Sequence, residues 1–496
     1  MVHRVFVSLA LAATVGSVGV VPHALAQART DIVVGLVLEP PVLDPTANAA
    51  AAVDEVVYAN VFEGLTRFGP DGDILPALAR SWEISPDGLT YTFTLAEGVT
   101  FHDGTGFDAE DVKFSLDRTT AEGSLNAQQF LFADIDTVTV IDPATVEVTL
   151  SRPNGNFLFN LAWGDAVIVA PESAEGNATN PIGTGPFRFS NWNQGDSVTL
   201  VRNEDYWGEP VALERATFRF IDDPTAAFAA MMAEDVDTFP NFPAPETVPL
   251  IDADPRFRAV IGTTEGETIL AMNNARAPLD DVRVREAIAH AIDRQAIIDG
   301  AMFGFGTPIG SHFAPHHPAY VDLTELSAYD PARSRELLAE AGIENLMLSL
   351  ALPPTPYARR GGEIIAAQLR EVGITAQIQN IEWAQWLDQV FGRGDFDLTV
   401  ISHTEPLDIE IYGRDDYYFH YDSPEFDAIM EEIANTPNPA DQIPLWQEAQ
   451  RRIAEDYVNA FLFQLAKTGV ENVNLTGLWV NAPTQATDLT GVSWAQ

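Results

Sequence analysis

The chain opens on an apolar stretch. After it, Asp31–Leu38 is apolar and β-branched and predicts a buried strand ending at Glu39-Pro40-Pro41. Val53, Val56, Val57 and Val61 then recur at helical spacing. Trp82 and Ile84 alternate with polar positions up to Pro86-Asp87-Gly88. Leu89, Tyr91, Phe93 and Leu95 alternate after it, which predicts a hairpin. Asp108-Ala109-Glu110-Asp111 predicts a capped helix through Leu116. A second hairpin pairs Val138 and Val140 with Val146, Val148 and Leu150 around Asp142-Pro143-Ala144. The region from about 60 to 170 therefore reads as antiparallel α+β.

The second half changes period. Asp280-Asp281 starts a helix with Val284, Ala287, Ile288, Ala291 and Ile292 on one face. Asp330 and Pro331 are an N-cap and a first-turn proline, and Gly342 stops that helix. Leu346–Leu352 is a strand, Gly362–Val372 a helix closed by Gly373, and Ile374, Ala376 and Ile378 the next strand. This βαβ unit implies parallel pairing and a right-handed crossover. Phe396–Ile401 adds a strand and Asp441–Asp456 a helix. A large α/β lobe beside a mixed lobe predicts a two-lobed molecule with its ligand site in the cleft between lobes.

The first residues change the picture of where the chain works. His3 and Arg4, the apolar run Val5 to Val21, and Ala24-Leu25-Ala26 have the layout of a cleavable secretory signal over 1–26. The run is about 17 residues long, at the lower limit for a membrane span, and is broken by Ser8, Thr14, Gly16, Ser17 and Gly19. No cysteine follows it, so the expectation is an exported, periplasmic protein that is not lipid-anchored and makes no stable membrane insertion.

Composition excludes several functions. At 496 residues, 46% hydrophobic, the chain holds about three domains' worth of core. Its 27 Lys+Arg against 72 Asp+Glu give a formal net charge of -45. That excludes a nucleic-acid binder relying on a basic face and argues against docking on anionic lipid through a polybasic patch. Only Lys113 and Lys467 are lysines. The absence of Cys removes thiol catalysis, disulfides and thiolate-bound metal.

No G-x-S-x-G elbow, Walker loop, H-E-x-x-H or strand-linked G-x-G-x-x-G is present. The glycines of Met302–Gly306 read as a turn after a helix, and His316-His317 as a solvated loop. One stretch concentrates chemistry: Trp383, Trp386, Phe391, Tyr412, Tyr417, Tyr418, Phe419 and Tyr421 lie in the chain beside Glu405, Asp408 and Glu410. Aromatic faces with carboxylates suit a cationic or amine-bearing ligand, although most such rings are expected to pack the lobe. His403, Glu405, Asp408 and His420 can be drawn as a metal set, but at a spacing that matches no signature; no metal or cofactor is expected.

Motifs spread over the whole chain resemble family 5 extracytoplasmic solute-binding proteins, the peptide/nickel/opine-type receptors of ABC importers. They begin at Val61-Phe62-Glu63-Gly64-Leu65-Thr66, Leu75-Pro76-Ala77-Leu78-Ala79 and Phe101-His102-Asp103-Gly104. They continue at Gly183-Thr184-Gly185-Pro186-Phe187, Arg202-Asn203 with Tyr206-Trp207-Gly208, Asp281-Val282-Arg283, and Ser423-Pro424-Glu425-Phe426-Asp427. The resemblance implies an α/β fold with a hinge between two lobes and an additional α+β domain inserted in the first. The expected division is lobe I over 27–52, 183–267 and 475–496, an insert over 53–182, and lobe II over 268–474. It implies a non-enzymatic, monomeric receptor that captures a peptide or other amine-bearing solute and docks on ABC permease subunits. A metal chelate, a sugar-like solute or a secreted hydrolase are the alternatives. In dipeptide-binding members an acidic residue takes the ligand's ammonium, and Glu405 aligns there; Trp383 aligns with a pocket aromatic. Thr355 stands where the carboxylate-clamping arginine is expected, with Arg359 and Arg360 nearby but out of register. The candidate ligand-binding set is Glu405, Trp383, Trp386, Asp408, Tyr412, Thr355 and Tyr357.

Overall fold

The computed structural model describes residues 29–48, 50–404, 408–414, 416–436 and 438–495. The expected leader lies outside them. One mixed sheet runs through the molecule. Its order is Ile374–Asn380, Leu346–Leu352, Leu398–His403, Phe257–Met272, Asn459–Asn472, Thr238–Phe239, Asp31–Leu36, Arg215–Phe220, Ser197–Arg202 and Phe187–Asn193. The two long strands at its centre serve both halves. Phe257–Thr263 pairs with Ala466–Asn472, which in turn pairs with Thr238–Phe239. Glu267–Met272 pairs on its other edge with Leu398–His403.

Between these halves the register slips, at Thr263–Glu267. Side chains replace the missing ladder bonds there: Thr264 Oγ1 donates to the Leu465 carbonyl at 2.9 Å and accepts from the Gly266 amide at 3.0 Å. A bulge of this kind breaks the ladder locally and lets a strand bend. The slip therefore separates the two paired stretches of these long strands.

Each body has its own core. Val282–His290, Arg294–Met302, Pro331–Glu340 and Pro356–Glu371 cover one face of the far half with aliphatic side chains, and an aromatic cluster covers the other. The region expected to be an insert holds a separate sheet, Ala79–Ile84, Thr90–Leu95, Thr145–Leu150 and Ile135–Asp142, antiparallel throughout. Helix Ala109–Thr120 packs on it, its N-terminus closed by reciprocal bonds between Asp108 and Asp111. The expected hairpins and the parallel βαβ unit are all present.

Some helices differ from expectation, and the one capped by Asp281 ends at His290, short of Ala291 and Ile292. The first helix ends at Val57, and Val61 is buried in the following turn rather than on the helix. The βαβ helix begins at Pro356, six residues before Gly362. Gly362 is a packing residue inside it, because a Cβ there would run into the Leu352 side chain of the adjacent strand.

Several of the motifs that carry the family resemblance converge on one junction. Glu63 accepts from Thr184 Oγ1 at 2.8 Å, Tyr206 Oη at 2.8 Å and Trp207 Nε1 at 2.9 Å. Gly183 and Gly185 run against the Val61 and Asn60 carbonyls, leaving no room for a Cβ. His102 Nε2 lies 2.9 Å from the Gly185 carbonyl, and burial pushes its imidazole down to about 4, so it is neutral. These residues join the 60–64 and 102 segments to the 183–207 segment and line neither of the large chambers of the cleft.

Candidate functional site

The principal cleft separates the inserted region from the 408–446 segment of the second lobe. It has two chambers of about 710 and 770 Å³. Both share Gly155, Asn156, Phe159 and Trp446 as walls. The first is polar, with Asp134 and Arg152 on one side and Asp408 and Glu410 on the other. The second is walled by Trp82, Ile84, Leu158, Ile443 and Trp446.

Asp408 reaches the cleft from a buried network. His312, 1% exposed, places Nε2 2.8 Å from Asp408 Oδ1 and Nδ1 2.8 Å from Glu267 Oε1. His403 Nδ1 lies 3.6 Å from the other Asp408 oxygen. Burial alone pulls the His312 pKa down, but the two carboxylates outweigh it and push it up to about 10. Burial pushes Glu267 up to about 8. Asp408 moves the other way: burial raises it, and the His312 and His403 contacts more than compensate, leaving it well below the ordinary carboxylate range. Glu267, His312 and Asp408 have ligand atoms within 4.8 Å of one another, a grouping that could hold a metal ion. His312 Nε2 makes a hydrogen bond with Asp408, while its Nδ1 faces Glu267 as a close ion pair without hydrogen-bond alignment. Of the set drawn from His403, Glu405, Asp408 and His420, His403 lies beside Asp408 and Glu405 is outside the described residues; Asp408 also groups with Glu267 and His312, which are remote in sequence.

Of the expected ligand-binding residues, Asp408 lines the cleft. Glu405 lies outside the described residues. Trp383 opens the short helix Trp383–Trp386, and its side chain is likewise outside what is described. Trp386 is buried, its indole donating to Thr399 Oγ1 at 3.0 Å. Tyr412 is buried too, its hydroxyl accepting from Asn459 Nδ2 at 3.1 Å. Both belong to the aromatic core, so they support the cleft wall from behind. Thr355 is the N-cap residue of Pro356–Glu371. Tyr357, next to it, packs on the aliphatic core, and burial raises its phenol. Neither lines the two chambers.

The histidine pair His316-His317 is not a solvated loop. His316 Nε2 contacts Glu265 Oε1 at 2.6 Å and its Nδ1 contacts Thr263 Oγ1 at 2.5 Å, tying this segment to the register slip. His317 lies in the wall of the apolar chamber, and burial pushes it down to about 4. Asp134, Arg152, Glu267 and His312 went unrecognised as site residues. The one local sign was Glu265-Gly266-Glu267 ahead of an apolar run, since a carboxylate inside a buried strand needs a partner.

The model of the bacterial extracellular solute-binding proteins, family 5 (middle region), matches residues 73–471. The chain belongs to this family. Among curated relatives, the glutathione-binding protein GsiB of Salmonella paratyphi A is 29% identical over 479 residues, covering 92% of this chain and 93% of the relative. Among solved structures, HbpA2 from Haemophilus parasuis superposes with a TM-score of 0.83 at 25% identity, over 94% of this chain and 100% of the other. The periplasmic binding protein DppA from Helicobacter pylori, solved with the peptide STSA, superposes with a TM-score of 0.78 at 23% identity, over 95% and 99%. The fold of this family 5 solute-binding protein is thus the two-lobed α/β architecture of periplasmic binding proteins. Among the described residues no helix is long and apolar enough to cross a membrane.

Proposed function

We propose that this family 5 protein is an exported receptor that captures a peptide or other amine-bearing small solute and delivers it to an ABC importer, without turning it over. The observation that carries this reading is the acidic cleft itself: its wall residue Asp408 is braced through His312 to Glu267 on a strand that joins the lobes. Ligand that bridges the cleft then acts on the hinge. The proposed division is lobe I over 27–52, 183–267 and 475–496, insert over 53–182 and lobe II over 268–474, with the register slip as hinge. The leader 1–26 is removed, no lipid is attached, and the mature chain works as a monomer. Glu405 accepts the ligand's ammonium and Trp383 supplies an apolar wall, with Thr355 and Tyr357 at the neighbouring helix start.

Thermal unfolding of the mature protein against peptides, amines, opines, sugars and metal chelates tests the reading, because a ligand bound only by the folded state raises the melting temperature. Peptides or amines are expected to do so. For the ligand found, Glu405→Gln is expected to weaken binding about ten- to a hundredfold, the loss of one charge-assisted hydrogen bond. Cleavage of the ligand during incubation would overturn the receptor reading in favour of an enzyme. Stabilisation by sugars or chelates alone would overturn the ligand class.

A further inference from the structure

The two chambers of the cleft differ in chemistry. In the polar one, Arg152 is the only basic side chain among the described lining residues, against Asp134, Asp408, Glu410, Asp427 and Glu431. Its guanidinium is already committed, with Nε 2.6 Å from Asp134 Oδ1. Asp408 is held by His312. Glu410 is different. It is exposed to the cleft and makes no ion pair or side-chain hydrogen bond among the described residues. Burial and the Asp408 charge push its carboxyl above the ordinary range, and the Arg414 and Arg152 charges oppose this without reversing it. A cation beside Glu410 displaces no partner and relieves its repulsion with Asp408. A ligand carboxylate there meets two acids and must compete with Asp134 for Arg152. On the far side of Gly155 the second chamber offers Trp82, Ile84, Phe159, Ile443 and Trp446 to an apolar group.

We infer that the cleft selects a peptide bearing a side-chain positive charge, held at Glu410, and a bulky apolar side chain, held against Trp82 and Trp446. Such a ligand differs in charge from glutathione, the tripeptide named for the 29% identical relatives, which carries two carboxylates and one ammonium. The inference rests on the peptide-receptor reading and sharpens it.

Calorimetric titration of the mature protein with four probes tests it: lysyl-phenylalanyl-alanine, the same peptide with norleucine for lysine, lysyl-alanyl-alanine, and glutathione. The lysyl-phenylalanyl peptide is expected to bind about tenfold tighter than its norleucine and alanine counterparts, the effect of one charge-assisted contact and of one buried ring respectively. Glutathione is expected to bind weakest. In Glu410→Gln the lysine preference is expected to fall to about one, with norleucine-peptide affinity unchanged. Glutathione binding tightest, equal affinity for the lysine and norleucine peptides, a lysine preference that survives Glu410→Gln, or no gain from the phenylalanyl ring would each overturn the inference while leaving a peptide receptor in place. Binding of none of the four overturns the peptide-receptor reading, and the inference falls with it.

Discussion

Gly155 of the inserted region lies so close to the Gln442 carboxamide of the second lobe that a Cβ at Gly155 would overlap it. Gln442 has little freedom to withdraw. It is buried, and its Nε2 donates to the Thr436 carbonyl at 2.8 Å and the Ile433 carbonyl at 3.3 Å. The contact bridges the cleft between its polar and apolar chambers, so it sets how closely the two bodies approach.

Gly155→Val is therefore expected to prop the cleft open. Its backbone is not in the left-handed region, so the substitution carries no conformational penalty of its own. The ligand-free melting temperature should stay within a few degrees of wild type. Ligand affinity should drop about tenfold or more, because closed-state contacts are lost. Solution scattering at saturating ligand checks this: wild type contracts, the variant contracts less.

The Glu267–His312–Asp408 bridge predicts a non-additive pair of variants. His312→Gln leaves the Asp408 carboxylate without the cation it bonds and is expected to cost about 3–5 kcal/mol in urea unfolding. Adding Asp408→Asn should recover part of that loss, since it removes the stranded charge.

The same bridge fixes a pH dependence. His312 is raised in the folded state from 6.5 to about 10, so its contribution is fully present below pH 6.5 and is lost as pH rises towards 10. Glu267 is raised from 4.5 to about 8, so the folded state holds its proton more tightly than the unfolded chain, and stability falls as pH rises across that interval too. Thermal melts are expected to show wild-type stability declining from the acid side of neutrality to pH 10. The His312→Gln/Glu267→Gln pair should decline less.

Trp386 packs behind the cleft rather than in it. Trp386→Ala should cost about 3–5 kcal/mol of stability, as large core deletions do, while the folded fraction keeps nearly the wild-type ligand affinity. A large affinity loss without loss of stability would instead put the ring in contact with ligand.

Mass spectrometry of the exported protein is expected to find an N-terminus at Gln27 or Arg29 and no lipid. A membrane-bound chain that retains residues 1–26 would contradict the leader reading.

Local pattern carried much of this protein. The Pro86-Asp87-Gly88 turn, the Asp108 and Asp330 caps and the βαβ unit at 346–380 are short-range structures. Propensity, period and capping act between residues a few positions apart, so they are visible in the chain. The helix boundaries at Val57 and Pro356 were less legible, because packing against Leu352 decided what Gly362 was for.

Composition and motif order alone determined the family, the acidic character and the absence of thiol chemistry. Tertiary structure decided which of many carboxylates matter. Glu267, His312 and Asp408 lie on three separated segments, and no period in the chain relates them. It also sorted the aromatic residues at 383–421: a ring's hydrophobicity is the same in core or pocket, and only burial behind the cleft wall puts Trp386 and Tyr412 in the former. Burial, moreover, is what turns ordinary titrating groups into a coupled charge bridge. A desolvated charge depends on the particular neighbours that face it, and those neighbours are supplied by strand pairing across hundreds of residues.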